Sequence, residues 1–253
     1  MEIKPLQLKQ NKLMHHYRNE QDDILEHFDY NPYASHTYAH RLKEIKKRTF
    51  NRERLTKVLY NMNRKWNASD ATYENIKRLK AEESVVVVGG QQAGLLTGPF
   101  YTIHKIISII QLAKQQERSL QVPVIPVFWI AGEDHDFAEI NHIFMPQTSY
   151  MEKHKLLQRI SEKWSVSDIP IEDLYAKQWL NRIFGQLKET QYTNALYETI
   201  TEQMNKSETY VDFFARLIYI LFQEEGIILV DSHHPEIRAF EKDFFVEMIN
   251  KQE

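Results

Sequence analysis

The chain has 253 residues, 42% hydrophobic and 26% charged, with 35 acidic against 32 basic side chains for a formal charge of −3. These values exclude collagen-like, low-complexity and disordered classes, and the balance argues against a nucleic-acid binder, which carries a basic stripe. There is no cysteine, which removes disulfides, thiolate metal sites and a thiol nucleophile, and four of only seven glycines (Gly89, Gly90, Gly94, Gly98) fall within ten residues.

No apolar run approaches the roughly 18 residues that span a bilayer, and the start, MEIKPLQLKQNK, lacks the apolar stretch of a signal peptide. With the absence of cysteine this predicts a cytoplasmic protein. Residues 1–81 read as a helical N-terminal region. Apolar residues at helical spacing predict helices over 39–47, 52–66 and 70–80, and Ser69 is placed to cap the third. The basic cluster at 43–48 reads as a solvated helix face.

The period then changes. Ser84 and the valines Val85, Val86, Val87 and Val88 read as a strand buried in a parallel sheet, opening the first part of an α/β core over 82–142. The glycine cluster follows, then a helix over 101–116, with Pro99 suited to its first turn and Thr97 to its cap. A second apolar run, 122–130, contains Pro123 and Pro126, so its regular part starts near Val124. A hairpin around 146–149 and helices over 170–225 form an insertion, 143–225. Ser207 is a candidate cap for the apolar helix that contains Phe213, Phe214, Leu217 and Ile218. That helix ends toward Gly226, and its aromatic stripe reads as core. A third strand over 227–231 and an amphipathic helix from Pro235 complete 226–253. Strands separated by helices predict an open parallel α/β sheet, Rossmann-like but incomplete, and the abrupt end predicts a truncated chain.

Chemistry gathers after each strand: GGQQAGLLTG, then AGEDHD, then DSHH. Ligands of open parallel sheets bind at carboxyl strand ends, near a topological switch point. The glycine elbow is neither GxGxxG nor a P-loop, so dinucleotide and Walker-type binding are unsupported. Its glycines serve either close strand–helix packing or recognition. Gln91 and Gln92 favour recognition, because amides both donate to and accept from a polar ligand. Glu133, Asp134 and His135 end the second strand. Asp136 can cap the next helix, with Glu139 completing a capping box. On a continuous helix His135, Glu139 and His142 would share one face, leaving a metal site open. The alternatives are acids complementing a helix terminus and a core His142. Asp231 either orients a ligand or caps the turn into Pro235.

The segments VVVVGGQQAGLLTGPFYTIHKIISI, PVIPVFWIAGEDHDFAEINH and GIILVDSHHPEIR, with the earlier FDYNPY and RTFNRERL, resemble the cysteine-adding enzymes of bacillithiol biosynthesis, the cysteine ligases of Firmicutes. The resemblance covers essentially the whole chain; Gly89 stands where family members often have threonine. It implies a Rossmann-like core, joining of L-cysteine to the amine of glucosaminyl-malate, and a homodimer formed through a C-terminal coiled coil absent here. A carboxylate does not acylate an amine unaided, so ATP activation of cysteine is expected; no metal is expected, and charge and hydropathy predict neither nucleic acid nor membrane as partner. In that reading Asp134 or His135 deprotonates the attacking amine. Gln91, Gln92 and the loop amides from Gly94 to Gly98 cradle the activated acyl group or phosphates. Glu133, Asp136 and Asp231 orient the substrates, with Thr97, Tyr101, Asn141, His142 and His233 as further contacts. Lys105 is the one lysine near the motif. The competing readings are a metal-dependent hydrolase using His135, Glu139 and His142, and a non-catalytic metabolite-binding module.

Overall fold

The computed structural model describes residues 9–160 and 163–251. The expectations for residues 1–8, 252 and 253 lie outside the described residues. The chain divides into two compact units, Met1–Phe50 and Asn51–Glu253. The first holds α1 (Lys12–Arg18), α2 (Asp22–Leu25) and α3 (Thr37–Ile45), none of which has a buried residue. Tyr17 joins Phe28 and Tyr33 there, ring centroids 5.6 and 5.5 Å apart.

The second unit opens with α4 (Arg52–Lys65) and α5 (Asp70–Arg78). Ser69 caps α5 as expected, its side chain accepting from Thr72 N–H. The sequence groups both helices with the N-terminal region, yet they pack on the sheet. Their buried polar residues explain why. Asn63 Nδ2 donates to Leu59 O at 2.7 Å and Leu229 O at 3.0 Å, and its Oδ1 accepts from Leu229 N–H at 3.0 Å and from Tyr219 O–H. Thr72 Oγ1 donates to Ile227 O at 3.0 Å. Such partners are what buried polar groups require.

The sheet is β1 (Val85–Gln91), β2 (Val124–Ile130) and β5 (Ile228–Asp231), parallel, in the order β1-β2-β5. The strands lie in chain order, so no reversal occurs among the described strands. Gln91 pairs with Ile130, and Ile130 with Asp231, which aligns the three carboxyl ends in one row. β2 starts at Val124 despite Pro126. Ser232 N–H donates to Ile130 O, so even-numbered positions of β2 turn toward β5, and β5 pairs only with Val127–Ile130. The N–H that Pro126 lacks would therefore face a place where β5 has not begun.

Between β1 and β2 runs α6 (Phe100–Leu120), whose Ile106 and Ile110 are buried. Its N-cap is Pro99, without a side-chain cap, so Thr97 does not cap it. Thr97 lies instead in a strained elbow, where Leu96, Thr97 and Gly98 have φ of 48°, 75° and 72°. After β2 come α7 (Phe137–Ile140) and the expected hairpin, β3 (His142–Pro146) and β4 (Met151–Lys155), closed by Gln147 N–H to Tyr150 O at 2.8 Å. The insertion continues through α8 (Asp173–Phe184), α9 (Thr193–Asn205) and α10 (Tyr210–Phe222). Thr209, not Ser207, caps α10 by accepting from Asp212 N–H; the Ser207 hydroxyl donates to Gln203 O at the end of α9. The Ser207 position is two residues too early because Ser207 N–H still closes on Met204 O, and Glu208 and Thr209 then bridge to Ile171 and Pro170 before α10 starts. α10 is buried along most of its length, and Phe214 stacks on Phe128 of β2 at 6.1 Å. α11 (Pro235–Asn250) closes the described chain, with His234 as its N-cap.

Candidate functional site

Two glycines allow the elbow after β1 to form. A Cβ on Gly94 would stand 2.5 Å from Gly98 Cα, so the loop crosses itself where only hydrogen atoms fit, and Gly98 also has a positive φ. The elbow then turns Gln91 and Gln92 toward the loop after β2.

A directed chain of hydrogen bonds follows. Lys105 Nζ donates to Gly90 O at 3.2 Å and to Gln91 Oε1 at 2.6 Å. Gln91 Nε2 donates to Gln92 Oε1 at 2.7 Å and to Tyr101 Oη at 3.2 Å. Gln92 Nε2 donates to Asp134 Oδ2 at 3.0 Å and Glu139 Oε2 at 2.6 Å. An ammonium only donates and a carboxylate only accepts, so the two ends fix both amides. All four amide hydrogens are spent on protein acceptors. The glutamines therefore offer a ligand only carbonyl lone pairs, not the mixed donor and acceptor set expected from their types. What remains is the Tyr101 hydroxyl hydrogen, Glu139 Oε1 and the ring of His142.

These groups line one cleft of about 280 Å³, which Gln91, Gln92, Gly94, Tyr101, Glu139 and His142 share. Asp134 stands behind Gln92. Its Oδ1 accepts from Asp136 N–H at 3.0 Å. That backbone N–H, then Gln92 and the His135 backbone, hold the carboxyl below its usual range although burial opposes them. Asp136 caps α7 through Oδ1 and Ala138 N–H at 3.0 Å, as expected. The capping box does not close, because Glu139 turns to Gln92 and the Asp136 N–H goes to Asp134.

α7 spans only four residues and His142 opens β3, so His135, Glu139 and His142 never share a helix face. The ligand set of the hydrolase reading loses its geometry. Among the described residues no group of three or more His, Asp or Glu is placed to hold a metal ion.

His135, Asp136 and Asn141 line a second cleft of about 560 Å³ with the cations Lys155 and Arg159. Asn141 is 3% exposed, and its Oδ1 has no protein partner among the described residues. Glu133 is exposed, with its backbone carbonyl receiving Ser165 Oγ–H at 3.4 Å. The third strand end is tied down by the insertion. Asp231 Oδ1 accepts from Ser167 Oγ–H at 2.8 Å and His233 N–H at 3.0 Å, and His233 Nε2 lies 2.9 Å from Asp168 Oδ2. Burial raises the Asp231 carboxyl above its usual range, against the Ser167 hydroxyl and His233. Asp231 thus caps its turn, and the strand-end residues divide into clusters on either side of the 133–136 turn rather than converging on one cleft.

Two of the loop amides expected to cradle the acyl group or phosphates are already taken. Gly94 N–H is spent on Gln92 O at 3.0 Å and Gly98 N–H on Leu95 O at 2.9 Å. Those two amides are bonded within the loop, and no step is assigned to ATP there. Sequence reasoning missed Ser167 and Asp168, which no motif marks. It left Lys105 without a role, although Lys105 lies one turn beyond Tyr101 and helical side chains lean toward the N-terminus.

Residues 1–253 match the family described as bacillithiol biosynthesis BshC, N-terminal Rossmann-like domain. The chain belongs to that family. Its relatives include proteins named "Putative cysteine ligase BshC". The one from Oceanobacillus iheyensis is 44% identical over 257 residues, covering 100% of this chain and 47% of the relative. That of Bacillus cereus strain AH187 is 43% identical over 251 residues, covering 99% and 46%. One from Bacillus anthracis matches at 43% over 251 residues, covering 99% and 46%. The chain spans about half the length of the curated BshC relatives it matches. The Rossmann-like fold and the link to bacillithiol biosynthesis expected from the GQQAGLLTGP and GEDHDFAEINH blocks are those of the family. No helix of the described residues is long and apolar enough to cross a membrane.

Proposed function

We propose that the intact protein is a ligase that joins L-cysteine to the amine of glucosaminyl-malate, the amide-forming step of bacillithiol biosynthesis. These 253 residues supply its Rossmann-like part. The observation that carries this reading is the cleft at the end of β1, where a fixed amide pair holds Glu139 and Asp134, and His142 shares the lining, in a chain whose relatives bear the ligase name. An amine must be held, freed of its proton and shielded to attack an acyl carbon, and a carboxylate-lined cleft suits an ammonium.

Asp134, kept ionised by its donors, anchors Gln92, which in turn positions Glu139 to receive the amine. Lys155, Arg159 and His135 in the second cleft suit the dicarboxylate of the malate moiety. A carboxylate does not acylate an amine unaided, so activation of cysteine by ATP is part of the proposal, with the nucleotide held outside the elbow. Dimerisation through a coiled coil beyond residue 253, and a cytoplasmic location, belong to the same proposal.

The test is direct. Intact protein incubated with cysteine, glucosaminyl-malate and ATP yields bacillithiol with ATP cleaved in step; absence of product sinks the reading. Asp134→Asn separates it from a non-catalytic binding module. Normal bacillithiol synthesis by that variant would remove Asp134 from the machinery.

A further inference from the structure

Resting on the ligase reading, we propose that His142 takes the proton from the substrate amine in the cleft at the end of β1. His142 Nδ1 lies 3.0 Å from Ala138 O. A carbonyl only accepts, so Nδ1 carries the hydrogen and Nε2 keeps its lone pair. Nε2 has no protein partner among the described residues. Phe144 meets the imidazole edge-on at 5.3 Å and 86°, which fixes the plane of the ring.

The other two candidates for this role are occupied or elsewhere. Asp134 spends one oxygen on Asp136 N–H and the other on Gln92. A carboxyl held below its usual range is also a poor base. His135 lines the second cleft, not this one.

The ionisable groups around His142 support a neutral ring. Glu139 of α7 and Tyr101 of α6 share its cleft, and Lys153 and Lys155 face it from β4. Burial first, then Lys153, hold its affinity for a proton below the ordinary histidine value, while the Ala138 carbonyl opposes and Lys155 assists. Glu139 Oε1, which no protein donor uses, receives the substrate ammonium. One N–H bond then breaks and the proton forms a bond to Nε2. The electron pair stays on the substrate nitrogen, and the positive charge passes to the imidazolium. The amine is left neutral and nucleophilic, and the half-exposed ring returns its proton to water.

The experiment compares His142→Gln with His104→Gln in intact protein supplied with cysteine, glucosaminyl-malate and ATP. His142→Gln is expected to lower kcat about 100-fold or more, to leave KM for the amine within about threefold, and to recover rate on addition of free imidazole. His104→Gln, on the exposed side of α6 and outside both clefts, is expected to keep kcat within about threefold. The unaltered protein gains rate as pH rises through imidazolium deprotonation, and His142→Gln loses that limb. Histidine 15N NMR of the unaltered protein gives a second measure, independent of whether the variant folds: Nδ1–H with bare Nε2 at neutral pH. A kcat for His142→Gln within threefold of normal, a surviving acid limb, or the opposite tautomer overturns the role of His142 and leaves the ligase reading standing. Absence of product from the unaltered protein overturns both.

Discussion

The Gln92 side chain donates to Asp134 Oδ2 at 3.0 Å, joining the end of β1 to the loop after β2. The contact spans 42 positions of sequence and exists only because the sheet aligns the two strand ends. Removing it has a measurable electrostatic effect. Gln92→Ala is expected to move the Asp134 carboxyl upward, toward its ordinary value, because one of its donors is gone. Carboxyl 13C NMR across acid pH reads this directly; an unmoved Asp134 titration would refute the assignment.

Asp134 and Asp231 are displaced in opposite directions, so their effects on stability oppose each other. The lowered carboxyl of Asp134 adds stability above the ordinary carboxylate range, and that stability is lost as pH falls through its folded value. The raised carboxyl of Asp231 does the reverse, and stability falls as pH rises from the ordinary value toward the folded one. Asp231→Asn keeps an acceptor for Ser167 and His233 without the buried charge. It is expected to abolish that decline, seen as a urea midpoint that no longer falls as pH rises above the ordinary carboxylate value.

Gly132→Ala is expected to destabilise the fold by about 1–3 kcal/mol. The added Cβ would collide with Ser167 Oγ and Asp231 Oδ1, which are already bonded to each other. Denaturant unfolding checks the loss, and a double variant with Ser167→Ala should regain part of it, since one of the two colliding atoms is removed.

Asn63→Ala should cost about 2–3 kcal/mol, because the Leu229 N–H and C=O of β5 are left buried without their side-chain partner. Tyr219→Phe removes the bond to Asn63 and a long one from Leu229 N–H, which keeps its Asn63 partner, and should cost about 1 kcal/mol. Equal losses in the two variants would show that Asn63 is not the shared hub.

At the start of α10, Thr209→Ala is expected to cost about 1 kcal/mol, while Ser207→Ala stays within about 0.5 kcal/mol. Thr209 Oγ1 is the acceptor for Asp212 N–H; the Ser207 hydroxyl serves only the end of α9. Thermal unfolding of the two variants separates them.

The strands were legible because their apolar, mostly β-branched runs leave no helical stripe, but the expected burial of β1 holds on one face only, since Val86 and Val88 are exposed. The hairpin and the Ser69 cap were legible for similarly local reasons. The helix on which His135, Glu139 and His142 would share a face does not form, because Asp136 caps α7 only from Phe137 and β3 takes over at His142. Periodicity carries no information about such partners. Nor could residue types reveal that Gln91 and Gln92 consume each other's hydrogen-bonding capacity, or that Ser167 and Asp168 would cover the end of β5.

The crossing of Gly94 over Gly98 has a kinetic meaning. A loop that touches itself at its base, with three successive left-handed residues beside the contact, has its path set during folding and little freedom afterwards. A substrate reaching the cleft meets walls already in place, so the encounter rate reflects diffusion and orientation rather than waiting for a loop to close.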